Sequence, residues 1–182
     1  MLELVIFLLG SLGFIILSRR ALKEHHTYGF PRFFTFEAIL GLVVLNAGGW
    51  FYQPFSLPQL IFWVLLLGSA YLAIHSFWIL RKIGAPESST QDAGKQAFEK
   101  TTQLVTVGPY HLIRHPMYAS LLLLTWGVTL KQINLVSILL AIIASLALFL
   151  TAIYEERENL IKFGDEYAAY MQHTKRLIPF IF

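Results

Sequence analysis

Apolar residues gather along this chain in five runs, separated by short polar or proline-containing stretches. The first, Leu2 to Leu17, is broken by Glu3 and followed at once by Ser18-Arg19-Arg20. A cleaved secretory signal has basic residues before its apolar run and a small-residue site after it; neither is found here, so a retained helix is expected. The second run, Phe33 to Tyr52, follows Pro31 and contains Glu37, Asn46 and Gly48-Gly49, while the third, Leu60 to Leu80, contains His75. Between them, Gln53-Pro54-Phe55-Ser56-Leu57-Pro58-Gln59 reads as a turn with two prolines and no charge. Met117 to Leu130 and Leu135 to Ile153, joined by Lys131-Gln132-Ile133-Asn134, predict a helical hairpin. At about 1.5 Å per residue its first arm covers only about 21 Å, so it is expected to extend by a turn or to begin inside protein. After Tyr154 come Glu155-Glu156-Arg157-Glu158 and then Leu160, Phe163, Tyr167 and Tyr170 at helical spacing. Such an amphipathic segment lies along a membrane interface or packs under a bundle.

The pattern predicts an all-α, polytopic membrane protein with about five transmembrane helices in one domain, 1–182. Its parts are three helices within 1–80, a polar loop 81–116, the hairpin 117–153 and an amphipathic tail 154–182. Composition agrees: 56% of the 182 residues are hydrophobic, only 14% are charged, and the mean hydropathy is +0.60. Lipid is therefore the expected solvent for much of the surface. The absence of cysteine excludes disulfides, thiolate metal sites and a cysteine nucleophile. A net charge of +3 spread over several loops gives no nucleic-acid footprint.

The basic residues set the expected topology. Arg19, Arg20, Lys23 and Arg32 follow the first helix; Arg81, Lys82, Lys95, Lys100 and Arg114 lie between the third and fourth; Arg157, Lys162, Lys175 and Arg176 follow the fifth. Five spans put all three groups on one side and leave Lys131 alone on the other. The positive-inside rule then predicts an outside N-terminus, with the 81–116 loop and the C-terminal tail cytoplasmic.

Two segments carry candidate chemistry, and this topology brings them to one membrane face. In Val107-Gly108-Pro109-Tyr110-His111-Leu112-Ile113-Arg114-His115-Pro116-Met117-Tyr118, Gly108-Pro109 predicts a tight turn and Pro116 a helix start. Arg114 and His115 stand where a helix N-terminus favours an anionic group, and Tyr110, His115 and Tyr118 offer aromatic faces for a purine. Glu155-Glu156 at the foot of the fifth helix supplies carboxylates for ribose hydroxyls, an ammonium group or a sulfonium.

The stretch G-P-Y-x-x-x-R-H-P-M-Y, the hairpin, then E-E-x-x-x-L-x-x-F-G-x-x-Y-x-x-Y and a closing R-x-I-P resemble the isoprenylcysteine carboxyl methyltransferase and phospholipid methyltransferase superfamily. The resemblance covers roughly residues 100 to 182. It implies S-adenosylmethionine as cofactor, held by the C-terminal half without a Rossmann fold, and no G-x-G-x-x-G occurs in the chain. It places Thr102, Gln103, Leu104, Val105, Gly108, Tyr110, His115, Pro116, Met117 and Tyr118 around the cofactor. It further implies Glu155 as the catalytic residue facing methyl transfer and Glu156 as the neighbouring cofactor or structural carboxylate. The animal prenylcysteine enzymes carry an arginine one helical turn before the glutamate pair; Thr151 stands here, which argues against a carboxylate acceptor. A thiol or amine acceptor needs a base, for which Glu155 and His111 are the candidates.

The expected activity is methyl transfer to a lipophilic or membrane-associated acceptor, with the bilayer as partner. Competing readings are a sterol-type reductase with a nicotinamide cofactor, which shares an R-H-P-x-Y element, and a scaffold without catalysis. His111 and His115 do not form a zinc pair, since Leu112 replaces the glutamate of H-E-x-x-H and no third ligand is evident. Glu37 and His75 are ionisable groups inside apolar runs, suited to helix-to-helix bonds as well as to substrate contact. Asn46 and Gly48-Gly49 are expected to serve helix packing.

Overall fold

The computed structural model of the protein describes residues 1–84 and 101–180. Residues 85–100 of the polar loop, with Lys95 and Lys100, lie outside them. Among the described residues there are six α-helices and no strand: α1 Leu2–Ser18, α2 Gly29–Asn46, α3 Leu57–Ile83, α4 Pro116–Lys131, α5 Leu135–Phe163 and α6 Asp165–His173. Short 3-10 turns occupy Ala47–Gly49 and Gly108–His111.

Helix starts follow local chemistry. Pro31, Pro58 and Pro116 all sit in first turns, where a proline removes no helical hydrogen bond. For that reason α2 and α3 begin earlier than their apolar runs suggest. Asn134 caps α5, its Oδ1 accepting from the Ser137 N–H at 2.9 Å. The fifth helix does not stop at Ile153 but continues through the acidic residues to Phe163, ending at Gly164 with φ +56°. With 29 residues it is about 43 Å long against a hydrocarbon core of about 30 Å, so its last turns project beyond the core.

The helices pack in a row, α1 on α2, α2 on α5, α5 on α4 and α4 on α3, with α2 also touching α4. Small residues bring the central pair close. Ala141, Ala144 and Ala152 of α5 are completely buried, and Ala144 packs on Ala38 and Ile39 of α2. Polar side chains then join helices inside the apolar layer: Asn46 Nδ2 donates to Ser137 Oγ at 3.1 Å, and Ser69 Oγ donates to the Ser120 carbonyl at 2.7 Å. Asn46 thus serves packing, as its sequence position suggests. Glu37 does too, accepting from Ser11 Oγ of α1 at 2.6 Å.

The outer surface is unlike that of a water-soluble bundle. No residue of α1 is buried, and Val64, Leu67, Tyr71, Ile74 and Trp78 of α3 and Leu139, Ile143, Leu146 and Leu150 of α5 are all exposed. Three helical segments, Gly29–Gly49, Leu57–Ile83 and Leu135–Phe163, are long and apolar enough to cross a membrane. Helix α1 is apolar but shorter, and α4 has 16 residues.

Candidate functional site

The turn before α4 is held from two sides. Val105 and Tyr110 pack on Ile79 near the end of α3, and the Tyr170 hydroxyl of α6 donates to the Tyr110 carbonyl. Gly108 adopts φ +62°, and a Cβ there would lie 2.4 Å from Ile79 Cδ1. The backbone conformation favours glycine, and the Ile79 side chain would have to shift to admit a Cβ. Gly108→Ala is expected to cost about 1–3 kcal/mol, seen as a lower melting temperature in detergent; an unchanged melting temperature would show that the turn tolerates rearrangement.

Residues 112–115 run beside the C-terminal tail. The Arg114 N–H donates to the Lys175 carbonyl at 2.8 Å, the His115 N–H to the Arg176 carbonyl at 3.1 Å, and the Lys175 N–H to the Leu112 carbonyl at 3.2 Å. The backbone donors of the two residues just before α4 are therefore occupied by the tail. The Arg114 side chain is occupied as well: Nε donates to Glu156 Oε1 at 2.7 Å and Nη1 to the Thr174 carbonyl. From the other side Arg176 meets Glu156 Oε2 through Nη2 at 2.7 Å and Nε at 3.0 Å. Glu156 is thus a buried brace clamped by two guanidinium groups, and it ties α5 to both the turn and the tail.

Next to this brace, the neighbouring carboxylate is placed quite differently. Glu155 lines a cavity of about 100 Å³ together with Gln103, Leu104, Val105 and Tyr110 of the connection. His115, Pro116, Met117 and Tyr118 at the start of α4 form another wall. Asn159 and Phe163 of α5 and Tyr167 and Tyr170 of α6 close the remainder, with Leu80, Thr101 and Arg114 at the margins. The His115 and Tyr118 rings stack at 5.3 Å and 12°. His115 Nδ1 lies 3.5 Å from Glu155 Oε2, and its Nε2 lies 3.4 Å from Glu156 Oε1. Neither approach has hydrogen-bond geometry, so Glu155 Oε2 and His115 Nε2 are buried polar atoms without a hydrogen-bond partner. Burial disfavours the imidazolium, but the two carboxylates outweigh it and hold the His115 pKa above the ordinary 6.5. Burial pushes the Tyr167 and Tyr170 phenols up, which keeps both protonated at neutral pH.

Of the residues expected around a cofactor, eight meet at this cavity with Glu155: Gln103, Leu104, Val105, Tyr110, His115, Pro116, Met117 and Tyr118. Thr102, Gly108 and Glu156 are not on its wall. The Thr102 N–H donates to the Gly84 carbonyl at 2.9 Å, Gly108 shapes the turn, and Glu156 is engaged by the two arginines. His111 faces a separate groove with His173 and Lys175. Asn159, one turn beyond Glu155, is a wall residue that sequence reading missed. Continuing the fifth helix past Ile153 would have revealed it, since positions four apart share a face. Among the described residues no group of three or more metal-ligating side chains occurs.

A lipid-facing helical bundle, with an aromatic and carboxylate-bearing cavity at one end, defines an integral membrane protein with a candidate small-molecule site. A family model described as phospholipid methyltransferase matches residues 60–165, and the chain belongs to that family. Methanethiol S-methyltransferase 1 of Bradyrhizobium diazoefficiens (strain JCM 10833 / BCRC 13528 / IAM 13628 / NBRC 14792 / USDA 110) is 27% identical to it over 117 residues. That stretch is 64% of this chain and 38% of the relative, so the chain spans well under two thirds of the relative's length. No solved structure matches.

Proposed function

We propose that the protein transfers the methyl group of S-adenosylmethionine to a nucleophile dissolved in or bound at the membrane. The carrying observation is the buried Glu155 oxygen without a hydrogen-bond partner on the wall of an aromatic cavity, since an unfilled carboxylate acceptor suits a cationic ligand. The donor set suits the rest of such a cofactor: Gln103 and Asn159 offer amides, and Tyr110, Tyr118 and Phe163 offer ring faces. At about 100 Å³ the cavity is smaller than the roughly 300–1,000 Å³ typical for drug-sized ligands, so a whole nucleoside enters only as lining side chains move.

When bound, the cofactor supplies an electrophilic methyl on a sulfonium. The side chains then need only hold donor and acceptor in line and keep water out. For a thiol or ammonium acceptor, Glu155 would take the proton first and so free the lone pair that receives the methyl group, the sulfide left by the sulfonium being the leaving group. The name of the bacterial relative favours a thiol acceptor, and the family description a phospholipid. The proposal includes five spans with α1 and α4 completing the crossing, an outside N-terminus, and the site on the cytoplasmic face, where the described basic loops gather.

The test is calorimetric binding of S-adenosylmethionine against NADPH to detergent-solubilised protein, followed by label transfer to methanethiol and to phosphatidylethanolamine in separate arms. We expect the methyl donor alone to bind. Tyr118→Ala is expected to weaken that binding by roughly tenfold, equivalent to about 1.4 kcal/mol. Binding of NADPH instead, or of neither, overturns the proposal.

A further inference from the structure

We propose that the protein holds one phospholipid of its own bilayer at a site separate from the Glu155 cavity, with an acyl chain in an apolar groove along α4 and the phosphate against His111, His173 and Lys175.

The site arises because α4 is short. Its 16 residues rise about 24 Å, whereas α3 and α5 on either side, with 27 and 29 residues, rise about 40 Å and 43 Å. At the end of the bundle where α4 begins, the space between its neighbours is taken by the Gly108–His111 turn and the tail, and two hollows remain beside them. One is an apolar groove of about 750 Å³, to which α3 gives Leu65 and Leu72, α4 gives Ala119 and Trp126, and α5 gives Phe149. From Ala119 to Trp126 it follows α4 for about 10 Å.

The other hollow, of about 660 Å³, is polar. Helix α6 turns Glu166, Tyr170 and His173 toward it at helical spacing, while the turn adds His111 and the tail Lys175. The two hollows meet, since Leu112 and Pro179 line both. An apolar groove that runs into a cationic hollow matches a phosphate joined to a hydrocarbon chain. Backbone pairing fixes the joint: a parallel bridge links Ile113 and Lys175, and along this tail Lys175 faces the polar hollow while Arg176 binds Glu156. Among the described residues, the side chains of His111, His173 and Lys175 make no hydrogen bond or ion pair, with Glu166 or any other group. An ammonium and two imidazole N–H donors are thus left for an anionic oxygen.

Depth agrees with this occupant. A Cβ on Gly108 would lie 2.4 Å from Ile79 and 3.6 Å from His75, so the turn is level with the last turns of α3, just short of Arg81-Lys82. There Lys82 stands over the exposed Trp78 ring at 4.7 Å. Tryptophan and cations mark the level at which hydrocarbon gives way to lipid head groups.

The held lipid is not the methyl acceptor. The polar hollow shares only Leu104 and Tyr170 with the Glu155 cavity, and Tyr170 is fixed there as a partition by its bond to the Tyr110 carbonyl. The apolar groove shares no residue with that cavity. A bound phosphate instead ties the turn, α6 and the tail together, and this does not depend on the methyl-transfer reading.

The experiment titrates the full chain in detergent with phosphatidylglycerol, which has a phosphate but no amine or thiol to methylate. At saturation it is expected to raise the melting temperature by at least about 3 °C. With brominated chains it should quench tryptophan fluorescence, and most of that quenching should vanish in Trp126→Phe. Diacylglycerol of the same chains and inorganic phosphate should each fail to stabilise. The double variant His173→Gln, Lys175→Gln should melt like wild type without lipid and bind phosphatidylglycerol at least about tenfold more weakly. Overturning results are no binding, equal stabilisation by diacylglycerol, stabilisation by inorganic phosphate alone, wild-type affinity in the double variant, or undiminished quenching in Trp126→Phe. Displacement of S-adenosylmethionine by phosphatidylglycerol also overturns it, because the lipid would then occupy the Glu155 cavity. If the double variant does not fold, Lys175→Gln alone takes its place with the same criteria. Should S-adenosylmethionine not bind at all, the methyl-transfer reading fails by itself and the lipid arms still decide.

Discussion

Glu155→Gln is expected to leave a folded protein that binds S-adenosylmethionine within a few-fold of wild type yet transfers methyl at least about 10²-fold more slowly. The substitution keeps size and shape but removes the charge that faces the cavity and the oxygen proposed to take the acceptor's proton. Folding should survive because Glu155 makes no hydrogen bond through Oε2 and its contact with His115 is a loose 3.5 Å. Binding should weaken only a few-fold: the charge facing the sulfonium is lost, but the aromatic and amide walls that hold the rest of the cofactor remain. Steady-state kinetics beside calorimetry separates the two effects. Turnover within threefold of wild type would remove Glu155 from the chemistry.

The adjacent residue should behave in the opposite way. Glu156→Gln leaves two guanidinium groups, Arg114 and Arg176, without their shared counter-ion in a site where the Arg114 and Glu156 side chains are 8% and 4% exposed. Removing one partner of a buried ion pair typically costs about 3–5 kcal/mol, because the remaining charge stays buried and uncompensated. The expected result is a large drop in melting temperature, with activity lost only in proportion to the unfolded fraction. A variant that melts like wild type but is inactive would move Glu156 from the brace to the reaction. Two neighbouring glutamates therefore give a paired test: one variant stable and slow, the other unstable.

The contrast also shows where sequence reading stopped. Glu155-Glu156 and Arg114-His115-Pro116 stood out as a constellation, and the expected cofactor residues from Gln103 to Tyr118 largely line one cavity. What the pattern left open was the partner of Arg114, whose side chain is engaged by Glu156 and the C-terminal tail. That tail is remote in sequence, and nothing in local periodicity tells which of several arginines meets which of several glutamates. Asn159 was missed for a simpler reason: apolar character ends at Ile153, but the helix does not. A helix leaving the hydrocarbon turns polar without losing its hydrogen-bond ladder.

By itself, the sequence determined the elements and their solvent: long apolar runs, first-turn prolines and an absence of alternating patterns leave an all-helical, lipid-facing chain as the stable outcome, since backbone groups in hydrocarbon must be satisfied within each helix. It also determined which residue types are available for chemistry. Only the tertiary structure decided their division of labour. Which carboxylate is clamped and which stays open depends on where α2, α6 and the tail meet α5, and a charge pair depends on distance in space rather than separation along the chain.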